Sequence, residues 1–112
     1  GIIPAEKPYF NLFFGSLGTT PLAPSSLASY HALFPANAIW SVGGVGHYQL
    51  DANVMSLALG GHIRVGLEDT IYYDRKRNKL ATNQDLIKRM TRIMKLMELT
   101  VATPEETREM LF

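Results

Sequence analysis

The stretch Gly60-Gly61-His62-Ile63-Arg64-Val65-Gly66-Leu67-Glu68-Asp69 begins with two glycines and then alternates. Ile63, Val65 and Leu67 fall on one face, and His62, Arg64, Gly66 and Glu68 fall on the other, which predicts a strand over residues 62–68. Working outward, two earlier runs also read as strands. Tyr9 to Phe14 is short, almost wholly apolar and closed by Gly15 and Gly18, the pattern of a strand buried on both faces. Ala38 to Val42 is the second, ending in the cluster Gly43, Gly44 and Gly46. Between these two, Pro24, Ser25 and Ser26 offer a helix start, and Leu27, Tyr30, Leu33 and Phe34 recur at helical spacing until Pro35. Leu50, Val54, Leu57 and Ala58 make a second helical stripe, which Gly60 and Gly61 can end. Downstream, Asn83 is expected to cap a long amphipathic helix with the stripe Leu86, Ile87, Met90, Ile93, Met94 and Met97. Thr103, Pro104 and Glu106 form a capping box with proline at the first helical position, so Pro104 to about Leu111 reads as a terminal helix.

Strand, helix, strand, helix, strand, helix, helix is the order of parallel-sheet α/β proteins. Three parallel strands alone leave unpaired edges and an uncovered face, whereas a (β/α)₈ TIM barrel needs about 250 residues. Residues 1–112 are therefore expected to form the carboxyl-terminal segment of a single TIM-barrel domain, about three βα units plus a terminal helix. The amino-terminal units would be absent from the chain, whose start at Gly1, close to Pro4 and Pro8, looks cut. A small three-stranded open sheet is the alternative. The length of 112 residues excludes two domains, and a net charge of +1 gives no basic excess to favour nucleic acid or an anionic membrane. Without cysteine there is no disulfide framework, iron–sulfur cluster or thiolate zinc site, and a reducing cytoplasm fits. No apolar run of about 18 residues suggests a membrane span, and the amino end lacks the pattern of a signal peptide.

Charge on a strand expected to be buried on both faces needs a partner or a ligand. Arg64 and Glu68 lie four strand residues apart, roughly 13 Å at strand rise, too far for a direct ion pair within one strand. In a barrel both would point into the lumen, with Gly66 leaving space between them and Glu68 at the carboxyl end, where barrel enzymes place their active sites. Asp69 adds a second carboxylate in another orientation, so that one can bind a metal and the other accept a proton. The competing reading is a strand-end ion network in a non-catalytic packing or interaction domain. The loop Gly43-Gly44-Val45-Gly46-His47 lacks the dinucleotide fingerprint, since Gln49 stands where a third Gly or Ala belongs. It reads as a tight strand-to-helix turn that could still offer N–H groups to an anion. His31 reads as a surface or packing residue, and His62 lies at the opposite end of the strand from Glu68. His47 stands at the same end as Glu68, but with Glu68 and Asp69 it makes too few ligands for a zinc site. Met90, Met94 and Met97 read as core filler.

The ten-residue block from Gly60 to Asp69 resembles the carboxyl-terminal signature of the β-keto acid cleavage enzymes, the family typified by 3-keto-5-aminohexanoate cleavage enzyme. The similarity extends through Tyr9-Phe10-Asn11, Trp40-Ser41-Val42, Gly44-Val45-Gly46, Ala81-Thr82-Asn83 and Val101-Ala102-Thr103-Pro104 to Arg108. It implies a zinc-dependent (β/α)₈ barrel, expected here to be a homo-oligomer, that reacts a β-keto acid with acetyl-CoA to give acetoacetate and a new CoA thioester. Carried onto these residues, it makes Glu68 a Zn²⁺ ligand, the others being two histidines of a His-x-His segment absent here. Arg64 would hold the keto acid's carboxylate, and Asp69 would act in acid–base chemistry. The segment alone is expected to be inactive. His47 departs from the arginine often found after the Gly-x-Gly loop.

Overall fold

The computed structural model describes residues 6–112. Its elements are β1 (Tyr9–Phe14), α1 (Pro24–His31), β2 (Ile39–Gly44), α2 (Tyr48–Ala58), β3 (His62–Ile63), α3 (Asn83–Leu96) and α4 (Pro104–Leu111). The three strands form one parallel sheet in the order β1-β2-β3, with Tyr9 opposite Ile39, Phe13 opposite Gly43, and Ser41 opposite His62. That register sorts the side chains by face. Phe10, Leu12, Phe14, Trp40 and Val42 share the face on which the helices pack, and Tyr9, Asn11, Phe13, Ser41 and Gly43 share the other with His62 and Arg64. The helix-side core joins Phe14, Leu27, Trp40, Val42 and Ala52, with Phe10, Phe34 and Met55 packed against it. Phe10 stacks on Phe34 at 4.6 Å, and His31, exposed on α1, still sets its edge against Trp40 at 5.0 Å. The start at Gly1 and Pro4 lies outside the described residues.

Three expectations are corrected. β1 reads as buried on both faces, but Tyr9 and Asn11 are exposed, because the helices pack on the other face of the sheet. Neither outer edge of the sheet carries a further strand among the described residues. The third strand was expected over residues 62–68 but pairs only at His62 and Ile63, and a turn follows at residues 67–69. Polar side chains of α2 take over where the ladder stops. Ser56 donates to the carbonyl of His62, Asn53 donates to those of Val42 (2.9 Å) and Arg64 (3.0 Å), and Gln49 donates to that of Gly66 (3.2 Å). All three donors are fully buried and recur at i, i+4 and i+7, so one face of α2 is bonded to the backbone of the last strand. The third correction concerns α3. Thr82, not Asn83, is its N-cap: the Thr82 hydroxyl accepts from the Asp85 N–H and the Asp85 carboxylate accepts from the Thr82 N–H, a complete capping box. Asn83 turns back to accept the Leu67 N–H at 3.0 Å, which ties the start of α3 to the turn bearing Glu68. The Thr103–Glu106 box opens α4 as its sequence indicates. No helix among the described residues is long and apolar enough to cross a membrane.

Candidate functional site

Beyond the carboxyl ends of the strands lies a cavity of about 260 Å³, lined by Gly46, His47, Glu68, Asp69, Asp74 and Arg77 among others. Two turns build its near wall. The Gly46 N–H donates to the Asp69 carbonyl at 2.7 Å, joining the loop after β2 to the loop after β3. The Asp69 N–H donates to the Gly66 carbonyl at 3.2 Å and closes the turn that carries Glu68.

That turn overturns the separation expected of Arg64 and Glu68. Their charged groups meet, Nη2 to Oε1, at 3.0 Å, because the chain leaves strand geometry after Ile63 and folds back at Leu67, so strand rise no longer sets the distance. Gly66 does provide the space between them, and the Glu68 carboxylate occupies it: a β-carbon there would fall within 2.6 Å of the carboxyl carbon. Arg64 also has Nε 3.8 Å from Asp69 Oδ2, so one guanidinium faces both carboxylates.

The two carboxylates differ in environment. Glu68 is exposed, and its own backbone N–H together with the Arg64 guanidinium holds its pKa below the usual value. Asp69 has only 10% of its side chain exposed, and its Oδ2 is buried without a hydrogen-bond donor. Burial pushes its pKa up, Arg64 pulls it down, and Glu68 adds to the rise; burial has the larger effect. Neighbouring carboxyls held in opposite senses suit a division between a group that stays ionised and one that exchanges a proton.

Of the histidines, His47 lines the same cavity as Glu68 and Asp69, while His62 sits at the start of β3. Among the described residues no three of the His, Asp and Glu side chains come together as a metal-binding group. The glycine loop is a tight turn, as its spacing suggests, but its amides are engaged: the N–H groups of Val45, Gly46, Tyr48 and Gln49 donate to the carbonyls of Phe14, Asp69, Val45 and Gly46. The expectation that the loop offers its amides to an anion is corrected for these four. Sequence reading missed the wall formed by Asp74 and Arg77. It also missed Gln49, Asn53 and Asn83, whose signal was present as polar residues at helical spacing on α2 and an asparagine beside a capping threonine.

The profile of the beta-keto acid cleavage enzyme family matches residues 1–112. A 3-keto-5-aminohexanoate cleavage enzyme of Fusobacterium nucleatum is 38% identical over 77 residues, 69% of this chain and 28% of the relative. One of the same name from Acetoanaerobium sticklandii is 32% identical over 103 residues, 92% of this chain and 37% of the relative. A 3,5-dioxohexanoate:acetyl-CoA acetone transferase of Paraburkholderia graminis is 33% identical over 113 residues, 96% of this chain and 36% of the relative. The chain spans about a third of the length of these relatives. With its parallel βαβ order and its charged turn after the last strand, the chain belongs to the β-keto acid cleavage enzyme family.

Proposed function

We propose that this chain is the carboxyl-terminal part of a (β/α)₈ barrel enzyme that exchanges acyl groups between a β-keto acid and acetyl-CoA. The balanced change is R–CO–CH₂–COO⁻ plus CH₃–CO–SCoA giving CH₃–CO–CH₂–COO⁻ plus R–CO–SCoA. The observation that carries the reading is the convergence of Arg64 with Glu68 and Asp69 at one turn, the two carboxylates on the cavity wall. It is supported by relatives named 3-keto-5-aminohexanoate cleavage enzyme and 3,5-dioxohexanoate:acetyl-CoA acetone transferase.

In this reading the edge of the Arg64 guanidinium takes the carboxylate of the keto acid in a two-pronged contact. Asp69, buried beside it, accepts and returns the proton moved at the carbon next to the ketone. Glu68 gives one ligand to a zinc ion, and histidines outside this segment complete the set. When bound, the ion supplies Lewis-acid polarisation of carbonyl oxygens. The open face of the sheet, with Tyr9, Asn11 and Phe13, becomes the lumen of the closed barrel. Acetyl-CoA and the β-keto acid are the partners, together with the rest of the barrel, in a cytoplasmic homo-oligomer.

The full-length protein containing this chain tests the assignment. Incubated with acetyl-CoA and a panel of β-keto acids, it should form acetoacetate and the matching CoA thioester in equal amounts, both read by mass spectrometry. Absence of both products across the panel, from protein shown to be folded and zinc-loaded, would overturn it.

A further inference from the structure

We infer that Phe13 and Gly43 are positioning residues for Arg64, a conclusion that rests on the assignment of Arg64 to the keto acid's carboxylate. Phe13 lies on β1 and Arg64 follows β3, with β2 between them. Strands two places apart are about 9–10 Å from each other, so their side chains meet only where the middle strand leaves the gap open. Gly43 leaves it open. It stands opposite Phe13 in the register, and Arg64 adjoins it through the bond from the Arg64 N–H to the Val42 carbonyl. A β-carbon on Gly43 would come within 2.9 Å of Phe13 Cζ and within 3.1 and 3.2 Å of the two Cε atoms, so the ring rests on the bare glycine. From there it reaches across β2 to Arg64, whose guanidinium carbon lies 4.4 Å from the ring centroid.

A guanidinium stacked by its face keeps its N–H edge available, and that edge makes two-pronged carboxylate contacts. Here Nη2 and Nε face Glu68 and Asp69, which leaves the side of the guanidinium that includes Nη1 for the substrate carboxylate. The ring thus holds the guanidinium against β1 without using its donors, and keeps it beside the two carboxylates.

The test uses the full-length zinc-loaded enzyme, with acetoacetate as the β-keto acid and isotope-labelled acetyl-CoA, so that label exchange reports turnover. Phe13→Leu should raise KM for acetoacetate roughly 3- to 30-fold, the range of a cation–π contact. KM for acetyl-CoA should stay within about twofold, and Phe13→Tyr, which keeps the ring, should restore the wild-type value. Gly43→Ala should match Phe13→Leu by displacing the ring; if it does not fold, the Leu and Tyr pair decides. In an Arg64→Lys background, Phe13→Leu should add nothing. Calorimetric titration of acetoacetate into each folded variant should follow the KM order. If Arg64→Lys weakens acetoacetate binding while Phe13→Leu leaves it unchanged, or if Phe13→Leu moves both KM values alike, the positioning role falls and the assignment of Arg64 stands. If Arg64→Lys itself leaves acetoacetate binding unchanged, both fall.

Discussion

At Gly66 one methyl group would reach the site directly, since the space it would fill holds the Glu68 carboxylate, the movable end of a side chain. Gly66→Ala should therefore leave the fold in place and push Glu68 out of position. In the full-length protein, zinc content and turnover should fall together while the melting temperature changes little. A normal zinc content with normal turnover would count against Glu68 as a ligand. Its neighbours separate by chemistry. Glu68→Gln should lower zinc and activity together, whereas Asp69→Asn should keep zinc and lose roughly 10²-fold or more in kcat, the usual cost of removing a positioned acid–base group. Metal analysis beside steady-state kinetics reads both, and if Asp69→Asn lost the metal while Glu68→Gln kept it, the two roles would be exchanged. For Arg64 and Glu68, the face that Arg64 takes was legible in the alternation of the strand. Their 3.0 Å contact was not, because alternation reports which face a side chain takes and is silent on where the ladder ends.

Among the elements, α2 sets that end. Its Asn53 donates to the carbonyls of Val42 and Arg64, and the Val42 carbonyl also accepts the Arg64 N–H, so Asn53→Leu, of similar size without donors, should destabilise the protein by about 1–3 kcal/mol through the Arg64 carbonyl that loses its donor. Chemical denaturation of the full-length protein checks this, and a loss below about 0.5 kcal/mol would mean that water replaces the side chain. α3 depends on its capping box. The Thr82 hydroxyl, and then its N–H, hold Asp85 below the usual carboxylate pKa. A lowered native pKa means stability that is present above the unfolded value and lost as the pH falls through the native one. Melting temperature against pH should decline on acidification through this range, and Asp85→Asn should remove part of the slope; an unchanged slope would leave the cap without linkage. The order of elements, the boundaries of β1 and α4 and both ends of the Thr103 box could be read from glycines, prolines and period. What was missed on α2 has a physical cause. Leu50, Val54, Leu57 and Ala58 make an apolar stripe, but only Leu57 of these is buried, and the buried face is shared with Gln49, Asn53 and Ser56, whose bonding partners are backbone atoms that no side-chain pattern announces.

Across the whole chain, the accessible surface is 7683 Å², whereas a self-contained protein of 12.5 kDa exposes about 6200 Å². The difference, about 1500 Å², is nearly twice the roughly 800 Å² that one partner contributes to a standard protein–protein interface. Part of it lies along a groove of about 760 Å³ where Ile63 and Val65 face Ile87, Met94 and Met110, and part on the exposed face of Tyr9 and Asn11. The 112-residue chain prepared alone should accordingly self-associate, with sedimentation velocity showing species larger than a monomer that increase with concentration. A strictly monomeric, cooperatively folding species would argue against a barrel segment. The stripe on α2 has a further result, in time instead of space. Because the carbonyls of His62, Arg64 and Gly66 are bonded to one helix, that helix and the segment from His62 to Gly66 should open to solvent as a single cooperative unit, with matched amide-exchange rates in both. Loosening α2 on its outer surface, away from the cavity, would then silence the chemistry while β1 and β2 were still paired.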